Sequence, residues 1–367
     1  MSISLILLVL FVFTALVAIH EFGHFIVAKK NGVRVDEYAI GFPPRLFSKK
    51  IGETEYSLNL LPIGGYVKIF GENPDEESLE GKDKNKSLAN KPKLVQVAVI
   101  SAGPIFNILF AWVLLTVAIT FGLPASAEYL KANTASLEAK IYILDVASKS
   151  PAEKAGFSRG DQIIFASSGQ DGLQLLSVKN VQDFISTHEG REVIFQVRRG
   201  SHDIALKAVP ELSKENKRAI IGISLDELSV LKLPLHQAAL ESFRATALMT
   251  KGVTVGLFDF FAGMFQGKGD FSSVAGPVGI VSLVGDASKF GLGYFLGFTA
   301  LISVNLGIIN LIPFPALDGG RLLFVGIEAV TRRRISPVIV NAINAFGLTL
   351  LLILILLVTY HDISKFF

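Results

Sequence analysis

Four long apolar runs constrain this chain more than any other feature: residues 3–28, 94–123, 292–312 and 338–360. Crossing the hydrocarbon core of a bilayer as a helix takes about 20 mostly apolar residues. Half of the chain is hydrophobic and only 18% is charged, with the charges gathered between the runs. That pattern reads as greasy spans joined by wet loops. The expectation is an α-helical polytopic membrane protein with about four transmembrane helices. The first run has no basic segment ahead of it and no small-residue cleavage site after it, and it contains His20, Glu21 and His24. We therefore read it as a span and not as a signal peptide.

Lys and Arg in short loops set orientation. After the first run come Lys29, Lys30, Arg34, Arg45, Lys49 and Lys50, then Lys82, Lys84, Lys86, Lys91 and Lys93. Between the last two runs lie Arg321 and Arg332-Arg333-Arg334. With four spans both regions face the cytoplasm, and the region between the second and third runs lies outside. The expected location is the cell inner (cytoplasmic) membrane, with lipid as an obligatory partner. The net charge of +3 and the lack of a basic helix argue against a nucleic-acid partner. The chain has no cysteine, so a metal site here must use His, Asp or Glu.

Residues 139–212 differ in pattern. Short alternating strands such as 141–146 and 193–198 are separated by turn residues. The stretch Ser150-Pro151-Ala152-Glu153-Lys154-Ala155-Gly156-Phe157 leads into Arg159-Gly160-Asp161-Gln162-Ile163-Ile164. This resembles the bacterial PDZ domain, an α+β module that can bind a peptide as an added strand. A folded plug that limits access is the equal alternative. Residues 234–265 read as an amphipathic helix on the outer membrane surface, a brace for the insert, or an ordinary packed helix. The expected organisation is a first pair of spans in 1–125, a PDZ domain in 126–215, an amphipathic connector in 216–290 and a second pair of spans in 291–367.

His20-Glu21-Phe22-Gly23-His24 is an H-E-x-x-H motif in a helical run. Positions i and i+4 share a helix face, so both imidazoles can hold one zinc ion while Glu21 reaches the attacking water as general base. The alternative is a polar cluster that packs the bundle, but ionisable groups inside a span are costly and usually functional. A catalytic zinc takes three protein ligands and one open position. His188 and His202 lie in the insert, His236 just after it, and His361 beyond the last run. Asp318 follows the third run in Asn310-Leu311-Ile312-Pro313-Phe314-Pro315-Ala316-Leu317-Asp318-Gly319-Gly320. The four-span topology puts it at the cytoplasmic end, level with His20 and His24. A plain turn residue before two glycines is its other reading. Ligands without sulfur would also accept other divalent metals.

Taken together, these motifs resemble the site-2 protease family of intramembrane metalloproteases, in particular the bacterial branch of regulated intramembrane proteolysis. The resemblance also rests on Gly103-Pro104-Ile105-Phe106-Asn107 in the second run, Gly64-Gly65-Tyr66-Val67-Lys68 after the first, and Ala275-Gly276-Pro277-Val278-Gly279-Ile280 before the third. It implies a zinc-dependent endopeptidase with Glu21 as catalytic residue and His20, His24 and Asp318 as ligands of one Zn²⁺. Its implied substrates are transmembrane segments of single-span proteins, cut after a first extracytoplasmic cleavage, with anti-sigma factors or signal peptides as the types. It implies that Asn310 holds substrate backbone or the oxyanion, the other reading being that it satisfies backbone freed by Pro313, with Asn305 a second candidate, and that Asn107 packs or hydrogen-bonds near the site. The strand containing Gly65 and Tyr66 is a candidate platform for unwound substrate, or a hairpin that seals the zinc from lipid. One PDZ domain is found where the best-known members carry two. A non-catalytic membrane scaffold that uses its PDZ domain is the alternative function, opposed by the presence of every ligand and the base. A metal transporter would need inverted repeats, and none is seen.

Overall fold

The computed structural model describes residues 3–126, 140–173, 177–200, 202–213, 218–267 and 276–364. Ala275 of the glycine-proline segment lies outside them. The chain forms two compact units, one of residues 1–115, 239–284 and 298–367, the other of residues 116–238 and 285–297.

The first unit opens with helix α1 (Ile3–Lys30), which buries Val9, Val12, Leu16, His20, Gly23, His24, Phe25 and Ala28. Strands β1 (Val35–Ile51) and β2 (Thr54–Ile69) then form a long antiparallel hairpin that reverses between Ile51 and Thr54. Phe25 of α1 packs against Tyr38 and Tyr56 at ring separations of 5.3 and 5.9 Å, and the Tyr38 hydroxyl donates to the Ala18 carbonyl at 2.9 Å. These contacts lay the hairpin along α1. Phe42, Leu46, Phe47, Leu61 and Ile63 stay exposed on it, a surface suited to lipid. A short helix, α2 (Glu76–Glu80), closed by a capping box between Asp75 and Ser78, leads to α3 (Lys93–Phe121). Where α1 and α3 meet, a side chain on Gly23 would lie 2.5 Å from the Ala102 carbonyl, so glycine is what permits the close approach.

The second unit is built on an antiparallel sheet. Its strands are β3 (Leu123–Ser126), β4 (Lys140–Val146), β5 (Gln162–Ser168), β6 (Asp171–Leu173), β7 (Val193–Arg199), β8 (His202–Ala208) and β11 (Ile223–Leu231). Their order is β3-β11-β4-β5-β7-β8, with β6 paired to β5. Helix α4 (Pro151–Ala155) lies between β4 and β5, and α5 (Val178–Thr187) between β6 and β7. The two-residue strands β9 (Glu211–Leu212) and β10 (Ala219–Ile220) pair with each other. Alternating residues supply the core: Ile141 and Ile143, Val193, Phe195 and Val197, closed by Phe157, Val181 and Ile185. The sheet runs on to Leu231, beyond the position near 215 where the sequence pattern fades. That last strand interleaves Asp226, Glu227 and Ser229 with apolar residues, which weakens the alternation.

Asp161 lies fully buried in this unit. It accepts hydrogen bonds from Arg199 Nε and Nη2, both at 2.7 Å, and from the Ser158 amide at 3.0 Å. Arg199→Ala would leave that carboxylate with one donor. Breaking a buried pair costs about 3–5 kcal/mol, and Arg199 is partly exposed, so a loss of about 2–3 kcal/mol is expected. A lowered unfolding temperature of the detergent-solubilised chain would register it, and an unchanged midpoint would refute it.

The chain continues with α6 (Leu235–Phe265), α7 (Pro277–Lys289), α8 (Leu292–Leu311), α9 (Asp318–Thr331) and α10 (Pro337–Ser364). Among the described residues five helices are long and apolar enough to cross a membrane: α1, α3, α6, α8 and α10. The protein is therefore a multi-pass membrane protein. The sequence reading counted four spans. The addition is α6, the least apolar of the five, whose Glu241, Arg244, Lys251 and Asp259 made it read as a surface helix. It packs on α3, where Trp112 Nε1 donates to the Ala239 carbonyl at 2.9 Å and the Trp112 ring meets Phe243 edge-on.

Candidate metal centre

The ligands come from two helices, α1 and α9. Helix α1 brings His20 and His24 to one face, four residues apart, with ring centroids 4.8 Å apart and nearly perpendicular. Asp318 is the first residue of α9. The chain between α8 and α9 is bent by Pro313 and Pro315, with Ala316 in the left-handed region at φ 72°. Gly319 and Gly320 close the bend. A side chain on Gly319 would lie 2.1 Å from the Ile312 carbonyl, and one on Gly320 2.3 Å from the Phe314 carbonyl. The two glycines thus hold the tight turn that aims Asp318 back at α1.

His20 Nε2 and His24 Nε2 lie 3.2 Å apart, and Asp318 Oδ2 is 3.0 Å from the first and 3.4 Å from the second. Both histidines are buried, and Asp318 Oδ2 is buried without a hydrogen-bond donor. Proton placement explains that orphan. His24 Nδ1 lies 2.8 Å from the Val99 carbonyl, which can only accept, so the His24 proton is on Nδ1 and Nε2 has none to give. With His20 Nε2 also free of its proton, lone pairs would converge here, which is costly unless a cation sits among them. Donors about 2.1 Å from a tetrahedral zinc lie about 3.4 Å from one another. The observed separations of 3.0–3.4 Å match that spacing. The residues therefore fit zinc.

Beside these atoms is a cavity of about 230 Å³ lined by Val17, His20, Glu21, Leu306, Asn310, Ala316, Leu317 and Asp318. Glu21 Oε2 accepts the Val67 amide at 3.0 Å, so the β2 strand reaches the carboxylate directly. Gly65 and Tyr66 sit just before that contact, paired with Ile40 and Ala39 of β1. Asn310 lines the cavity, but Asn305 does not. Its Nδ2 donates at 2.8 Å to Leu301 O one turn back in its own helix. Five helical residues turn the chain by about 500°, so the two asparagines face different sides of α8.

Helix α3 forms the remaining wall. Gly103 packs against both imidazoles, and Asn107, fully buried, lies with its amide 3.1 Å from His20 Nδ1. Ser303 on α8 donates to the Asn107 carbonyl at 2.7 Å, which ties α8 to α3 at this level. Sequence reasoning placed Asn107 near the site but missed the contacts of Val99, Gly103 and Val67. Only the glycine-proline motif hinted at the second of them.

Comparison with known proteins agrees with a zinc enzyme. The sequence model of Peptidase family M50 matches residues 8–354. A Clostridium perfringens protein assigned as a zinc metalloprotease is 35% identical over 358 residues, covering 98% of each chain. Zinc metalloprotease RasP of Geobacillus kaustophilus is 28% identical, covering 97% of each chain. The Regulator of sigma-W protease RasP of Bacillus subtilis is 26% identical over the full length of both. The chain belongs to peptidase family M50, the site-2 proteases, and is a membrane zinc metalloendopeptidase.

Proposed function

We propose that this protein hydrolyses peptide bonds inside the transmembrane segments of single-span membrane proteins. The observation that carries this reading is the convergence of His20, His24 and Asp318 within 4.8 Å, with Glu21 alongside, where α1, a helix long and apolar enough to cross a bilayer, meets the start of α9. His20, His24 and Asp318 hold the metal. Zinc, when bound, supplies Lewis-acid polarisation of water and of the scissile carbonyl. Glu21 takes the proton of the attacking water and returns it to the leaving amide nitrogen. The Val67 amide holds Glu21 Oε2 and fixes the orientation of the carboxylate. Asn310 binds substrate backbone or the developing oxyanion from the cavity wall. The strand at Gly65 and Tyr66 offers backbone groups to substrate unwound around the scissile bond.

We further propose four crossings, with α6 outside the set. The α7 amide at Gly279 donates to Asp362 near the end of α10 at 2.9 Å, so α7 begins on the face where α10 ends. Trp112, in the outer part of α3, holds the start of α6 towards that same face. If α6 crossed, the eight residues between Gly267 and Gly276 would have to recross the membrane, whereas a helical crossing takes about 20. Four crossings, with the Lys and Arg loops inside, put the metal centre near the cytoplasmic side of the inner membrane and the β-rich insert outside.

The insert is proposed to be a PDZ domain. A groove of about 520 Å³ runs between Gln182, Ile185 and Ser186 of α5 and residues 218–225. Among the described residues β3 pairs with β11 at Leu228–Leu231, and the β11 edge nearer Ile223 is the one proposed to take a peptide strand. Substrates shortened outside the membrane, of the anti-sigma-factor or signal-peptide kind, fit this arrangement. The name of the Bacillus subtilis relative, a regulator of sigma-W, points the same way. The alternative, a non-catalytic scaffold, has to explain a complete ligand set with a base beside it.

The test is cleavage of a single-span substrate by the purified, detergent-solubilised chain, read by mass spectrometry. A zinc chelator should abolish the cut, stoichiometric zinc should restore it, and the cut should fall inside the span. Chelator-insensitive cleavage, or cuts confined to the flanks, would overturn the proposal.

A further inference from the structure

We propose that Asn107 is a positioning residue for the metal centre: its side-chain carbonyl accepts the Nδ1 proton of His20 and thereby commits His20 Nε2 to zinc. The inference rests on the ligand set proposed above.

The argument starts from His20. Its Nε2 is the atom that meets His24 Nε2 and Asp318 Oδ2. A ligating nitrogen carries no proton, so in the neutral ring the proton is on Nδ1. Nδ1 then needs an acceptor. The contact the structure provides is the Asn107 side chain, placed with Nδ2 at 3.1 Å and with Oδ1 buried without a partner. The nitrogen and oxygen ends of a carboxamide have the same shape, and the hydrogen-bond network decides which faces a neighbour. Nδ2 only donates. Facing His20, it would require the lone pair on Nδ1, force the proton onto Nε2 and aim an N–H at the other ligands. Turned over, Oδ1 receives the Nδ1 proton and Nε2 keeps its lone pair. Among the described residues nothing else hydrogen-bonds Oδ1, so no bond there opposes that orientation.

His24 shows the same arrangement already made. Its Nδ1 faces the Val99 carbonyl at 2.8 Å. Val99 and Asn107 are both on α3, about two turns apart, and His20 and His24 are about one turn apart on α1. Helix α3 thus presents one acceptor to each ligand histidine, one from backbone and one from a side chain. Only the second can be changed by substitution. Asn107 is itself fixed, being fully buried and held through its backbone carbonyl by Ser303.

The test measures zinc binding, not turnover. Full-length wild type, Asn107→Leu and Asn107→Asp would be purified in detergent. Zinc stoichiometry and affinity would be read by competition with a chromophoric chelator, with the unfolding midpoint of the metal-free form as folding control. Leu keeps the bulk and removes the acceptor. Asp accepts and cannot donate. Asn107→Leu is expected to bind zinc about 10–100-fold more weakly, and Asn107→Asp as tightly as wild type or more so. Equal affinity for Asn107→Leu would reduce Asn107 to packing. A folded Asn107→Asp as weak as the leucine variant would show that the amide acts as a donor. Either result overturns the proposal. Should Asn107→Asp fail to fold, ¹⁵N spectra of zinc-loaded, histidine-labelled wild type decide. His20 protonated at Nδ1 is expected, and His20 protonated at Nε2 or ligating through Nδ1 overturns it. A folded wild type without zinc would overturn the metal centre and this role with it.

Discussion

Replacing Glu21 by Gln is expected to lower peptide-bond cleavage by about 10²–10⁴-fold, the usual contribution of a positioned acid–base group. Bound zinc should remain at one ion per chain. The side chain keeps its length, and its carbonyl oxygen can still accept the Val67 amide that Glu21 Oε2 accepts at 3.0 Å. The fold around it should therefore persist. What disappears is the capacity to take a proton from water. Single-turnover cleavage and metal analysis on the same preparation separate the two effects. Loss of zinc together with loss of cleavage would make Glu21 a part of the metal site. Undiminished cleavage would remove it from the mechanism.

Gly103→Ala carries the second large expected effect, because the residue looks innocuous. An added Cβ would stand 2.3 Å from His24 Nε2 and 2.8 Å from His20 Cε1. Ordinary contact requires more than 3 Å, so α3 must retreat or both ligands must swing. Displacement of a reacting group by about 1 Å costs on the order of 10²-fold in rate, and overpacking adds about 1–3 kcal/mol of destabilisation. Zinc affinity, cleavage and the unfolding midpoint are all expected to fall. Gly326→Ala on α9, where an added Cβ meets nothing within 4 Å, should leave all three unchanged. If Gly103→Ala matched that control, the tight packing of α3 on the imidazoles would be refuted.

The two variants probe different depths of legibility. Glu21 is readable because its neighbours are local. His20 and His24 are separated by one helical turn, so periodicity alone puts them on one face. Asp318 was reachable by a longer route, through span parity and the two prolines before it. The structure brings it within 3.4 Å of both histidines. Asn305 and Asn310 illustrate where such reasoning fails. Both are asparagines on one apolar helix, but the helical turn between them sends one to the cavity and the other to its own backbone. The extra apolar helix α6 was read as amphipathic because its charges dilute a hydrophobic run that is nevertheless long enough.

The sequence by itself determined the membrane class, four of the five long apolar helices and the pair of imidazoles, since each follows from spacing within one element. Local chemistry also determined the bend at Gly319 and Gly320. Only the tertiary structure decided what surrounds the ligands: Val67 on Glu21, Val99 on His24, Asn107 beside His20 and Gly103 beneath both rings. Those partners lie 46, 75 and 87 residues away along the chain for the three hydrogen-bonding contacts. No local periodicity encodes them, because they depend on how closely α3 and the β-hairpin pack onto α1.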